Sequence, residues 1–133
     1  YKSDGELRMD FPGGWDGDAV NLFTEEGRAG VEAELHDYVK TLFQWRKGKE
    51  VIHSGKTLHF MSRDNTYAYF RYNDTDKVFV YINNSPEEKK IPWSNYAEIT
   101  SGLGAGTNVL TGEKVTITDS TVVPPCSTLV VEY

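Results

Sequence analysis

Thr66-Tyr67-Ala68-Tyr69-Phe70-Arg71-Tyr72, closed by the turn-forming run Asn73-Asp74-Thr75-Asp76 and followed by Val78-Phe79-Val80-Tyr81-Ile82-Asn83, decides the fold class. β-Branched and aromatic residues fill both runs, and polar turn formers bound them, so both read as strands. Successive side chains of a strand point to opposite faces, which sets Tyr67 and Tyr69 against Ala68 and Phe70. Working outward, similar runs occur at Thr57 to Met61, Lys89 to Ile91, Thr107 to Leu110, Glu113 to Thr118 and Thr128 to Tyr133. Turn clusters such as Arg63-Asp64-Asn65 and Asn83-Asn84-Ser85-Pro86 divide them, and Leu110-Thr111-Gly112-Glu113 reads as a tight connection. The expected architecture is mainly β: a small antiparallel β-sandwich of Greek-key type with seven or eight strands. The segment from Trp93 to Thr100 is expected to cap it.

Upstream the period changes. Val31, Leu35, Tyr38, Leu42 and Trp45 recur at spacings of 4, 3, 4 and 3, which predicts one amphipathic helix from Val31 to Lys47. Acidic Glu32, Glu34 and Asp37 precede basic Lys40, Arg46 and Lys47, as the helix dipole favours, and Gly48 supplies a stop. Val39 and Phe43 widen the stripe, so the helix is expected to be well buried. From Tyr1 to about Gly30 the chain is rich in Gly and Asp and reads as a long loop, of a length that usually carries function.

The chain has 133 residues, enough for one ordinary globular domain with one core and no need of metal or disulfide staples. Seventeen aromatic residues argue against intrinsic disorder. A net charge of -6 repels polyphosphates, so nucleic acid is not an expected partner. The mean hydropathy is -0.52, and no apolar run approaches the ~20 residues that a membrane span needs. Cys126 is the single cysteine and is read as a half-buried thiol. His36, His53 and His59 lie 17 and 6 residues apart with no ligand-spaced partner, so no metal and no cofactor are expected. Glu87-Glu88-Lys89-Lys90 reads as a solvated turn, and Asn73-Asp74-Thr75 and Asn83-Asn84-Ser85 match the glycosylation acceptor pattern. The chain opens at Tyr1 without an initiator Met, so any targeting segment is expected to lie outside it.

A loop, a single helix and then an all-β domain is an odd way to begin a protein. It is a natural way to end one, if the helix is the last of a (β/α)8 barrel and the sandwich is appended. The residues carry a matching resemblance. Asp4-Gly5-Glu6-Leu7-Arg8-Met9-Asp10-Phe11-Pro12-Gly13-Gly14-Trp15, Asn21-Leu22-Phe23-Thr24 and Glu26-Gly27-Arg28 resemble the α-amylase superfamily of glycoside hydrolases, in its neopullulanase and cyclomaltodextrinase branch. The likeness continues through Leu42-Phe43-Gln44-Trp45-Arg46-Lys47, Val51 to Lys56, Tyr69-Phe70-Arg71 and Asn108 to Glu113.

That resemblance implies two regions: 1–55 as the end of a barrel, holding the loop after its eighth strand and its final helix, and 56–133 as a C-terminal β-sandwich. It implies a retaining parent enzyme acting on α-glucans such as starch, pullulan, cyclodextrins or maltooligosaccharides, periplasmic or secreted. The catalytic carboxylates of the family would lie upstream of Tyr1, so no catalytic residue is assigned here and the chain is expected to be inactive alone. Its partners would be the catalytic barrel and, through it, the glucan.

Arg8, Asp10 and Trp15 are the candidates for lining the sugar cleft, Trp15 by stacking on pyranose faces and the charged pair by meeting hydroxyls. The bland reading pairs Arg8 with Asp10 inside the loop and lets Trp15 fill a small local core. Asp10, Asp16 and Asp18 form the one dense carboxylate cluster beside aromatic residues, but a hydrolase needs two carboxyls held about 5 to 9.5 Å apart on a scaffold. Gly13-Gly14 is expected to serve a turn with positive φ. A carbohydrate-binding module, with Trp93, Tyr96 or Tyr67 as stacking platforms, and a plain interaction domain are the alternatives. A helix stripe without its barrel would either fold back or pair two copies, and a homodimer is the expectation.

Overall fold

The computed structural model describes residues 1–118 and 121–133. The chain divides into two compact units, Tyr1–Thr41 and Leu42–Tyr133. In the first, a one-turn helix α1 (Asp4–Leu7) leads into a series of turns, and α2 (Val31–Lys47) then begins and runs on into the second unit. The helical period and the stop at Lys47 are as expected, with Arg46 and Lys47 in the last turn.

The expected burial of that helix is corrected: no α2 residue is buried, and Val31, Leu35 and Phe43 are 74%, 61% and 57% exposed. An apolar stripe is buried only where another apolar surface faces it. The end of α2 has such a surface: half-buried Leu42 and Trp45 pack on Val51, Val78, Val80 and Val130.

The second unit continues with α3 (Glu50–His53), β1 (Lys56–His59), β2 (Thr66–Tyr72), β3 (Lys77–Asn83) and β4 (Lys89–Lys90). A 3-10 turn (Trp93–Tyr96) and α4 (Ala97–Thr100) follow, then β5 (Gly106–Asn108), β6 (Lys114–Val115), β7 (Val122–Val123) and β8 (Ser127–Glu132). Six strands form one antiparallel sheet in the order β1-β2-β3-β8-β5-β6, and β4 pairs with β7 in a second, two-stranded sheet. The mainly antiparallel β architecture is as expected, with eight strands among the described residues. The strand expected over Glu113 to Thr118 is shorter, because only Lys114 and Val115 pair before the Thr116 carbonyl takes the Thr118 N–H at 3.0 Å. Val122–Val123 is a strand that the sequence reading missed.

Register explains the burial. Phe70 pairs with Phe79 and Phe79 with Val131, so these side chains share one face with Ala68, Tyr81 and Leu129. That face packs on Ile91, Trp93, Tyr96, Val115 and Val123, so the Trp93 to Thr100 segment does cap the sheet. Ring centroids of Phe79 lie 4.7 Å from Phe70 and 4.9 Å from Trp93, the contact range of well-packed aromatics. On the other face Val78, Val80 and Val130 meet Val51 and the end of α2. The unit therefore has two core clusters rather than the single one expected, because β3 and β8 are covered on both faces.

Polar groups tie the layers together. Arg71 donates to the Ile52 carbonyl at 2.9 Å and the Val51 carbonyl at 3.3 Å, seating α3 on β2. Asn83 is 1% exposed; its amide nitrogen reaches the Glu87 and Pro124 carbonyls at 2.7 and 2.8 Å while its oxygen accepts the Ser85 N–H at 3.0 Å. This acceptor-pattern asparagine is thus an internal brace, out of reach of any glycosyl transfer to the folded chain. Asp64 and Asn65 both have positive φ, and Arg63 and Thr66 exchange backbone hydrogen bonds around them, a two-residue hairpin turn.

Candidate functional site

The segments quoted for the resemblance close on one another in the first unit. Gly13 and Gly14 have φ of 112° and 97°, as the turn requires, and a Cβ on Gly13 would sit 2.7 Å from the Asn21 Cα. The Leu22 N–H donates to the Pro12 carbonyl at 3.0 Å, and Phe11 and Phe23 bring their ring centroids to 4.7 Å. Asn21 organises the return: its side-chain oxygen accepts the Phe23 N–H at 3.0 Å and its carbonyl accepts the Thr24 N–H at 3.3 Å. Arg28 donates to the Leu22 carbonyl at 2.8 Å. The loop is therefore an ordered unit built from local hydrogen bonds.

On this framework the three cleft candidates face solvent. Arg8 pairs with Asp4 at 3.2 Å, not with Asp10, and its side chain is 78% exposed. Trp15 is 83% exposed, so it fills no local core, and its backbone N–H donates to the Asp18 carboxylate at 3.0 Å. Asp10 and Asp16 are exposed too. Asp18 thus serves a turn, and all three carboxylates lie in water without the apolar cover that a general-acid carboxyl requires.

The sandwich carries a concavity of about 580 Å³. Its floor is formed by Tyr81 and Tyr96 and its rim by Arg63, Lys89 and Lys90. Burial, and next the neighbouring Tyr81, push the Tyr96 hydroxyl up to about 12. Trp93 and Tyr96 are 4% and 6% exposed, so the notion of these rings as surface platforms for sugar is corrected: they are core. Tyr67 is half-buried and engages His59 through its hydroxyl. Cys126 is exposed rather than half-buried, and it takes a positive φ of 48° in the turn before β8. Among the described residues no group of His, Cys, Asp and Glu is arranged to hold a metal ion, and no helix is long and apolar enough to cross a membrane.

Residues 57–132, more than half of the chain, match the family model described as the cyclo-malto-dextrinase C-terminal domain. The chain belongs to this family. The matched stretch of the cyclo-malto-dextrinase C-terminal domain begins within β1 and ends with β8, taking in both sheets. Solved structures share the fold. AmyP in complex with maltose is 18% identical with a TM-score of 0.65, matched over 88% of this chain and 22% of its own. The α-amylase GTA of Geobacillus thermoleovorans, complexed with acarbose, is 19% identical with a TM-score of 0.63, over 90% of this chain and 26% of its own. The trehalulose synthase MutB gives 16% identity and a TM-score of 0.59, over 85% and 20%. The chain spans about a quarter or less of the length of these structures.

Sequence reasoning missed the contacts that brace the matched domain and tie the preceding segment to it: Asn83, and Glu132 with Trp45 and Lys49. A lone acid after the apolar run Leu129-Val130-Val131 was the available signal for Glu132. Asn83 reads as a turn former and glycosylation-pattern residue in sequence; its link to Pro124, 41 positions on, has no local signal.

Proposed function

We propose that this chain is the C-terminal part of an α-amylase-superfamily glycoside hydrolase acting on α-glucans, and that it supports the catalytic barrel rather than performing catalysis itself. The observation that carries the reading is the family match over the whole sandwich, preceded by a helix whose Val31, Leu35 and Tyr38 stripe is open to a partner. In this reading residues 1–55 complete the barrel, the stripe packs on it, and Arg8, Asp10 and Trp15 stand at the wall of the sugar cleft. The exposure of the Trp15 ring supports a stacking role.

Incubation of the chain with maltoheptaose tests the division of labour. No release of reducing sugar is expected, and hydrolysis by the chain alone overturns it. In the longer enzyme, Trp15→Ala is expected to raise KM several-fold with kcat less affected; an unchanged KM removes Trp15 from the cleft. In isolation the open stripe favours pairing of two copies, so sedimentation is expected to give a dimer, and a monomer at high concentration counts against this.

A further inference from the structure

The concavity on the sandwich gathers polar groups that the fold itself leaves unused. It lies on the core face that carries Tyr81 and Tyr96, opposite α3 and the end of α2. Arg63, Lys90 and Asn95 make no side-chain hydrogen bond or ion pair among the described residues, nor do the Tyr81 and Tyr96 hydroxyls. Lys89 reaches only Glu87, at 3.4 Å, whose carboxylate is 77% exposed.

Three cations against one lining carboxylate, Asp64, stand out in a chain of net charge -6. Cations gathered around a cavity with low-dielectric walls focus a positive potential into it. Their mutual repulsion is relieved by an anion, and phosphate oxygens accept from both the Arg fork and Lys ammonium groups. A cavity of about 580 Å³ falls in the ordinary range for small-molecule sites and exceeds what a bare phosphate fills.

We propose that this groove binds a monophosphorylated sugar or polyol, its phosphate held by Arg63, Lys89 and Lys90 and its hydroxyls by Tyr81, Tyr96 and Asn95. The hairpin turn fixes Arg63, because the Asn65 carbonyl accepts the Asn84 N–H at 2.9 Å and so anchors the turn to the end of β3. The backbone at Lys89 and Lys90 is held by pairing with Val123 and Val122, and both residues line the groove. A tyrosine is protonated at neutral pH in any case, and burial, and next Tyr81, push the Tyr96 hydroxyl still higher, to about 12, so it is a hydrogen-bond donor.

The test is titration of the 133-residue chain, followed by backbone amide resonances, with three probes: glucose phosphorylated at its anomeric oxygen, inorganic phosphate and maltose. The sugar phosphate is expected to shift Arg63, Lys90 and Asn95 at millimolar concentration. A variant carrying Lys89→Gln and Lys90→Gln is expected to bind it about tenfold or more weakly while keeping its urea midpoint. Absence of shifts, or undiminished affinity in a folded variant, overturns the site. Inorganic phosphate binding as tightly as the sugar phosphate, or displacement by maltose, overturns the assignment of the ligand.

Discussion

The indole N–H of Trp45 donates to the Glu132 carboxylate at 2.9 Å, joining the last turn of α2 to the last residue of β8 across 87 positions. Lys49 closes on the other oxygen of the same carboxylate. One acidic side chain thus seats the end of the helix on the outer face of the sheet, beside the apolar contacts of Leu42 and Trp45 with Val78 and Val130.

Glu132→Gln keeps the shape and an acceptor for Trp45 but removes the charge that Lys49 meets. The carboxylate is 31% exposed, so water screens the pair, and the expected loss is about 1 kcal/mol. Burial pushes the Glu132 carboxyl up, but hydrogen bonds from Lys49 and Trp45 and the Lys49 charge outweigh it and hold it below its usual 4.5. A carboxyl depressed in the folded state contributes stability above its unfolded pKa and loses that contribution as pH falls through the folded value. Urea unfolding should therefore show the full difference between wild type and Glu132→Gln at neutral pH and a shrinking one below about pH 4.5. A difference that persists in acid would refute the charge argument.

Asn83 braces the turn after β3 against the turn before β8. Asn83→Ala leaves the buried Ser85 N–H without its acceptor and removes the amide that reaches the Glu87 and Pro124 carbonyls at 2.7 and 2.8 Å, in a site only 1% exposed. A loss of about 2 to 3 kcal/mol is expected. Asn83→Asp should cost at least as much, because it sets a third acceptor against those two carbonyls. Denaturant midpoints measure both, and an Asp variant as stable as wild type excludes the amide as donor.

In the first unit, Gly13→Ala forces a side chain onto φ 112° with its Cβ 2.7 Å from the Asn21 Cα. Strain of about 1 to 3 kcal/mol is expected to open the loop locally. Faster hydrogen exchange at the Leu22 amide reads it, since that N–H bonds to the Pro12 carbonyl. Gly5→Ala, where a Cβ meets nothing within 4 Å, serves as the control and should leave that exchange unchanged.

Phe79 and Phe43 separate core from surface among aromatic residues of one size. Phe79 is 0% exposed and Phe43 is 57% exposed. Phe79→Ala is expected to cost about 3 to 5 kcal/mol by cavity formation, and Phe43→Ala less than about 0.5 kcal/mol. Thermal unfolding of the two variants ranks them; equal losses would mean that Phe43 is covered in solution.

Strands with a long run of β-branched and aromatic residues were legible: β2, β3 and β8 lie close to where composition places them, since seven or six successive residues carry the pattern. β7 was not, because Val122–Val123 is too short for a period to show and is a strand only through Lys89 and Lys90. The turn at Gly13-Gly14 was legible from residue type, and the exposure of Trp15 was not. At the concavity on the sandwich, the doublet Lys89-Lys90 reads as solvated turn in sequence; its place beside Arg63 and Tyr96 comes from pairing across the fold.

From the sequence by itself follow the helical period of Val31 to Trp45, the turn formers, the β class and the order of elements, all set by steric and hydrogen-bonding preferences that act within a few residues. Only the tertiary structure decides that the helix stripe lies open, that β3 and β8 are covered on both faces, and that Trp45 and Asn83 find partners at Glu132 and Pro124. Burial and long-range hydrogen bonds depend on which surface arrives opposite a residue, and that is a property of the assembled sheet rather than of any local segment.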